Sequence, residues 1–149
     1  MQAIASFKGV KRRFDQYQGS GSVYIDDYAH HPEEVKATLN AVRSLYPAKK
    51  ITVVFQPHLF SRTRDFADEF AQSLSLADEL ILLEIYPARE RPIEGVDAEM
   101  LLSKVQLDAK KVLAKEALLD NFKINKRSVL VTLGAGDIDQ LVEPIKSIY

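Results

Sequence analysis

Three predominantly apolar runs constrain this chain most: ITVVF (51–55), ELILLEI (79–85) and SVLVTL (128–133). Each has the length of a strand, and none alternates apolar with polar residues. A strand with one wet face alternates, whereas a continuous run marks a strand covered on both faces. Helical spacing fills the intervals. Pro32 opens a helix that carries Val35, Leu39, Val42 and Tyr46 on one side, and Pro47 ends it. A second helix follows Phe55 and places Phe66, Phe70 and Leu74 on one face. Residues 98–105 read as a short helix, 111–114 as a short strand and 115–122 as another short helix. GAGD (134–137) opens the last helix, with Ile138, Leu141, Val142 and Ile145 inward. Ahead of these elements, 13–18 and 23–27 form two short strands around the hairpin loop GSGS. The predicted fold is α/β: a Rossmann-like, mostly parallel sheet with helices on both faces and an N-terminal β-hairpin.

A length of 149 residues suits one domain, and no repeat, low-complexity tract or linker divides it, so 1–149 is read as a single domain. The net charge of −1 offers no bulk attraction to nucleic acid or an anionic membrane. Without cysteine there is neither a disulfide frame nor a thiolate zinc site. No apolar run approaches the ~18 residues of a membrane span. The opening residues lack the apolar stretch of a signal peptide, and a cytoplasmic location is expected. Residues 2–7 read as the tail of a helix running straight into FKGVKRRF, which leaves open a start within a longer polypeptide.

In sheets of this kind ligands sit outside the carboxyl ends of the strands. There stand DDYAHHP after Ile25, QPHLFSRTRD after Phe55, YPARERP after Ile85 and GAGD after Leu133. All three histidines (His30, His31, His58) fall in this layer, with Asp26, Asp27, Arg62 and Asp137. Loops at the other end, such as YPAKK, carry little chemistry. DDYAHHP admits three readings. It can be a helix start, with His30 or His31 as cap, Pro32 at the first helical position and Glu33 and Glu34 facing the dipole. It can be a metal site, although neighbouring histidines diverge and only His58 adds a third. It can be a nucleotide contact, with Asp26 or Asp27 accepting ribose hydroxyls and Tyr28 packing on base or sugar.

In the next motif Ser61 is a candidate helix cap. Arg62 and Arg64 point roughly 200° apart on a helix, so they cannot grip one ligand together. Arg62, in the first turn, suits a carboxylate or phosphate; Arg64 suits a surface pair with Asp68. GAGD is either an anion-approach loop or a tight turn with Asp137 as cap. KRRF (11–14) meets phosphates or water equally well. No G-x-x-x-x-G-K-[ST] phosphate loop occurs, and no nucleophile stands beside a base.

Taken in order, FKGVKRRF, DDYAHHPEEV, FQPHLFSRTRD, YPARERPIEGV and LGAGDI resemble the C-terminal domain of the Mur ligases, from about Phe7 to the end. The likeness is stronger to the branch that joins L-alanine to UDP-N-acetylmuramate than to the murein-peptide recycling branch, which shares DD-aromatic-AHHP but differs at the second motif. The resemblance implies a three-domain enzyme whose other domains bind the UDP-sugar and, through a P-loop, ATP and Mg2+. It implies phosphorylation of the lactyl carboxylate to an acyl phosphate, attack by the L-alanine amine and loss of phosphate. By the same resemblance, Asp27 lies near the ATP ribose with Asp26 supporting the turn. Tyr28 and His30 face the reaction centre, His58 and Arg62 line the alanine pocket, and Arg12 or Arg13 reaches the nucleotide on closure. No metal ligand is assigned to this chain, and no nucleic acid or membrane partner is expected. Leu59 departs from the basic residue that many relatives carry after the FQPH histidine. Outside the family, two alternatives stand: a metal-dependent hydrolase on Asp26, His30, His31 and His58, and a non-catalytic nucleotide- or anion-binding module.

Overall fold

The computed structural model describes residues 12–124 and 126–149. Among them, β1 (Asp15–Gln18), β2 (Val23–Asp27), β3 (Ile51–Phe55), β4 (Glu79–Leu82), β5 (Lys110–Val112) and β6 (Val129–Leu133) form one sheet in the order β1-β2-β6-β3-β4-β5. β1 runs antiparallel to β2 as the expected hairpin, and all other pairings are parallel. The helices are α1 (Pro32–Leu45), α2 (Phe60–Asp65), α3 (Ala67–Leu74), α4 (Ala98–Lys104), α5 (Lys115–Ile124) and α6 (Val142–Ile148), with a 3-10 turn at Asp137–Leu141 before the last.

The apolar runs are buried on both faces because successive residues serve two cores. Val129, Val131 and Leu133 join Val53, Phe55, Val35, Leu39, Phe70, Leu74 and Leu101 on one side of the sheet. Leu130 joins Val54, Ile81, Leu118, Phe122, Ile138 and Ile145 on the other. Crossovers β2 to β3, β3 to β4 and β4 to β5 all step the same way, so α1, α3 and α4 share a face. The step back from β5 to β6 puts α5 opposite, as a constant crossover hand requires. Chain leaving β6 therefore turns to one face, while its neighbours β2 and β3 turn to the other. That reversal opens the crevice in which ligands of such sheets bind.

Three expectations change in detail. The second helix is two helices meeting at Phe66, whose φ of −117° breaks the run. Phe70 and Leu74 are buried, but Phe66 is 41% exposed. β4 stops at Leu82, since β3 leaves the ladder through Gln56 and Pro57, and proline has no N–H to continue it. Leu83 and Ile85 stay buried outside the strand. The last helix begins as a 3-10 turn capped by Gly136, not by Asp137.

Candidate functional site

At the end of β2, Asp26 is fully buried. A buried carboxylate needs a partner and hydrogen bonds. Arg12 supplies both, with Nε 2.7 Å from Oδ2 and a terminal nitrogen 3.1 Å from Oδ1. The Thr132 hydroxyl donates to Oδ1 at 2.6 Å and lies 2.7 Å from the Tyr24 hydroxyl. Arg12 also donates to the Gly134 carbonyl at 2.7 Å, and its guanidinium sits 5.7 Å from the Tyr28 ring centre. Asp27 accepts the backbone N–H groups of Phe14 and Ala29, each at 2.8 Å. Burial nonetheless pushes its carboxyl above the ordinary range, outweighing those two donors. Arg13, Asp27, Tyr28 and Thr38 line an open pocket of about 290 Å³.

The loop then delivers His30 and His31 to the start of α1. His31 is the cap residue, but the polar work falls to Glu34, whose Oε1 accepts the N–H groups of His30 (3.0 Å) and His31 (3.1 Å). Burial works against the Glu34 charge, yet these donors hold its carboxyl below the usual range. His30 Nδ1 lies 3.1 Å from the Tyr28 carbonyl. A carbonyl only accepts, so Nδ1 carries a proton, which leaves Nε2 as the site of the lone pair in the neutral tautomer.

From the end of β3, His58 meets this loop: its ring centre is 6.2 Å from that of His30, which is 4.9 Å from that of His31. Arg62, one turn into α2, points a terminal nitrogen at His58 Nδ1 (3.1 Å) and the His58 carbonyl (3.4 Å). An arginine only donates, so His58 Nδ1 accepts and its proton rests on Nε2. Burial first, then the charge of Arg62, pushes the His58 imidazole below its ordinary 6.5, and His31 moves the same way for the same reasons. Among the described residues the half-buried Arg62 has no carboxylate partner. Arg12, Arg43, Arg64 and Arg127 each have one, while Arg13, Arg89 and Arg91 are exposed.

The third strand-end loop packs on this group. The Tyr86 ring stacks on His58 at 5.5 Å, Tyr86 N–H donates to the Pro57 carbonyl, and Leu59 N–H donates to the Tyr86 carbonyl, both at 2.8 Å. Ser61 is not the cap of α2. Leu59 holds that position at a left-handed φ of 74°, and Ser61 gives its N–H (3.0 Å) and its hydroxyl to the Glu90 carboxylate. Arg64 pairs with Asp65 rather than Asp68, which takes Lys104. The glycines of GAGD serve packing: a Cβ on Gly136 would fall 2.6 Å from both Gln56 Oε1 and the Tyr86 ring. Gln56 bridges Asp137 and the Ile138 N–H, and Lys115 closes on Asp137. Among the described residues no three of His, Asp and Glu converge as a metal-binding set, so the donors do not fit the hydrolase alternative.

Residues 12–137 match the family described as Mur ligase, glutamate ligase domain. The chain belongs to this family. Among curated proteins it is similar to the UDP-N-acetylmuramate–L-alanine ligases of Cytophaga hutchinsonii (57% identity over 145 residues, 97% of this chain and 31% of that protein) and Flavobacterium johnsoniae (56% over 146 residues, 97% and 32%). The chain thus spans about a third of the length of these relatives. Among solved structures it matches the UDP-N-acetylmuramate–alanine ligase of Thermotoga maritima with a TM-score of 0.66 at 28% identity, covering 99% of this chain and 33% of that one. A murein peptide ligase from Psychrobacter arcticus shares the fold, with a TM-score of 0.71 at 18% identity over 99% of this chain and 32% of that one.

In this Mur ligase domain the residues assigned to the nucleotide, Asp27 and Arg13, border one pocket, whereas Arg12 lies inward against Asp26. Those assigned to the amino acid and the reaction centre, Tyr28, His30, His58 and Arg62, form an adjoining strip of rings ending in a guanidinium. Sequence reasoning left Gln56, Tyr86 and Glu90 without roles. Their position in the strand-end layer was visible, but their partners lie up to 82 residues away along the chain.

Proposed function

We propose that this chain is the amino-acid-binding domain of an ATP-dependent UDP-N-acetylmuramate–L-alanine ligase, an enzyme of peptidoglycan precursor synthesis that works in the cytoplasm. The observation that carries this reading is Arg62: a half-buried guanidinium at the strand ends, held by a neutral histidine and lacking any carboxylate partner among the described residues. Such a group is arranged for an incoming carboxylate. Binding the alanine carboxylate there leaves the amine facing the Tyr28–His30 side. In the neutral tautomer, His30 Nε2 can take a proton from the alanine ammonium, which must lose one before it attacks. The Tyr28 phenol, 47% exposed beside that ring, suits a contact to the acyl phosphate.

Attack of the amine on the acyl phosphate of UDP-N-acetylmuramate forms the amide and expels phosphate. ATP supplies that phosphate. Its ribose is proposed to meet Asp27, with Arg13 on the phosphate side when the domains close. The phosphate cradle belongs to a separate ATP-binding domain, since these 149 residues hold no G-x-x-x-x-G-K-[ST]. Mg2+ would come with that domain too. Asp26 is committed to Arg12 and Thr132, and both Asp27 oxygens accept N–H groups, so the described carboxylates here do not fit a divalent ion.

The test is phosphate release by the full-length enzyme with ATP, UDP-N-acetylmuramate and L-alanine. Arg62→Ala is expected to raise the alanine KM by ~10- to 100-fold while leaving the ATP KM within about twofold. An unmoved alanine KM withdraws the carboxylate role from Arg62.

A further inference from the structure

Glu90 lies in the loop after β4, outside every role assigned so far, yet its carboxylate is the acceptor at the start of α2. Ser61 donates to it twice, by N–H at 3.0 Å and by hydroxyl. Those donors hold the Glu90 carboxyl below its ordinary range. α2 is six residues long, its cap residue Leu59 offers no side-chain bond, and that residue sits at a φ of 74° that a leucine rarely adopts. A helix this short does not hold its own axis; its ends are fixed from outside. The other ties between these two loops, Tyr86 to Pro57 and Leu59 to Tyr86, all lie before the helix. Among the described residues, the Glu90 contact is the tie between these two loops that reaches the turn bearing Arg62.

We infer that Glu90 is a positioning residue: it anchors the first turn of α2 and thereby aims Arg62 at the bound amino acid's carboxylate. The inference rests on the reading of Arg62 given above. Glu90 does not touch the substrate. Its carboxylate occupies the helix amides that a ligand carboxylate would otherwise compete for, which leaves the guanidinium as the one receptor. Loss of Glu90 therefore blurs the grip on the amino acid without touching the nucleotide side, where Arg13 and Asp27 stand on other elements.

The experiment is steady-state kinetics of the full-length enzyme carrying Glu90→Ala, Arg62→Ala and both. Glu90→Ala is expected to raise the alanine KM by ~10-fold, with kcat and the ATP KM within about twofold. In the Arg62→Ala background the same change is expected to add less than about twofold, since residues that act through one another are not additive. Ser61→Ala, which keeps the N–H donor, is expected to give a smaller rise, and it carries the test should Glu90→Ala fail to fold. An alanine KM that stays put in Glu90→Ala or Ser61→Ala overturns the inference. So does an effect fully additive with Arg62→Ala, or an equal rise in the ATP KM. A parent enzyme with no alanine-dependent phosphate release sinks the ligase reading itself, whatever Glu90 does.

Discussion

His58 shows how one residue couples protonation to geometry. Its Nδ1 accepts from Arg62, which requires a neutral ring. Burial and the Arg62 charge depress its folded value below 6.5, so the ring is neutral at pH 7. For a depressed histidine the sign is plain: its contribution to stability is complete above 6.5 and is lost as pH falls through the lower folded value. Protonation there puts two cations against each other and turns Arg62 away. The groups facing His58 are Arg62 on α2, His30 on the loop after β2, and Tyr86 and Glu90 on the loop after β4. Of these only Glu90 favours the charged ring. The alanine KM should therefore rise as pH drops from 6.5 toward 5. In His58→Gln, which keeps an acceptor and cannot titrate, that rise should flatten; an unchanged acid limb would place the titration elsewhere.

Between Phe55 and Glu79 the chain shows what its local pattern could and could not reveal. Phe66, Phe70 and Leu74 share one helical stripe, and that spacing alone predicts one helix. No proline or glycine marks the break at Phe66. The two pieces are held by different surroundings: Glu90 and Tyr86 tie the start of α2 and its cap residue Leu59, whereas α3 buries Phe70 and Leu74 in the core. The buried strands were legible for the opposite reason: a five-residue apolar run has few other ways to be covered. The histidine layer was legible because the strand-end rule needs only strand order. The Glu90–Ser61 and Gln56–Asp137 contacts were not, because nothing local fixes how two distant loops meet. The break has a measurable consequence. Phe70→Ala, in the core against Phe55 at 5.4 Å, should destabilise this chain by about 3–5 kcal/mol in denaturant unfolding. Phe66→Ala, at the exposed joint, should cost about 1 kcal/mol or less. Equal losses would mean that the two rings share one buried helix face after all.

At the scale of the molecule, one sheet serves both stability and the site. β2, β6 and β3 send alternate residues into the two cores, so neither core can melt without loosening the strands that carry the other. A cooperative unfolding of the isolated 149 residues follows. Catalysis is a different matter. The strand ends bring together Arg62, proposed as the carboxylate receptor, His30, proposed as the proton acceptor, and an open pocket bordered by Arg13, Asp27 and Tyr28, proposed as the nucleotide side. They offer no phosphate loop and no oxygen cluster for a divalent ion among the described residues. Phosphoryl transfer depends almost wholly on positioning and charge neutralisation around the transferred group. The chain by itself is therefore expected to fold, yet to release no phosphate from ATP in the presence of UDP-N-acetylmuramate and L-alanine, while the same residues joined to the ATP-binding domain turn over. Phosphate release by the isolated chain, dependent on L-alanine and abolished by Arg62→Ala, would place the whole engine inside this sheet and overturn the division of labour proposed here.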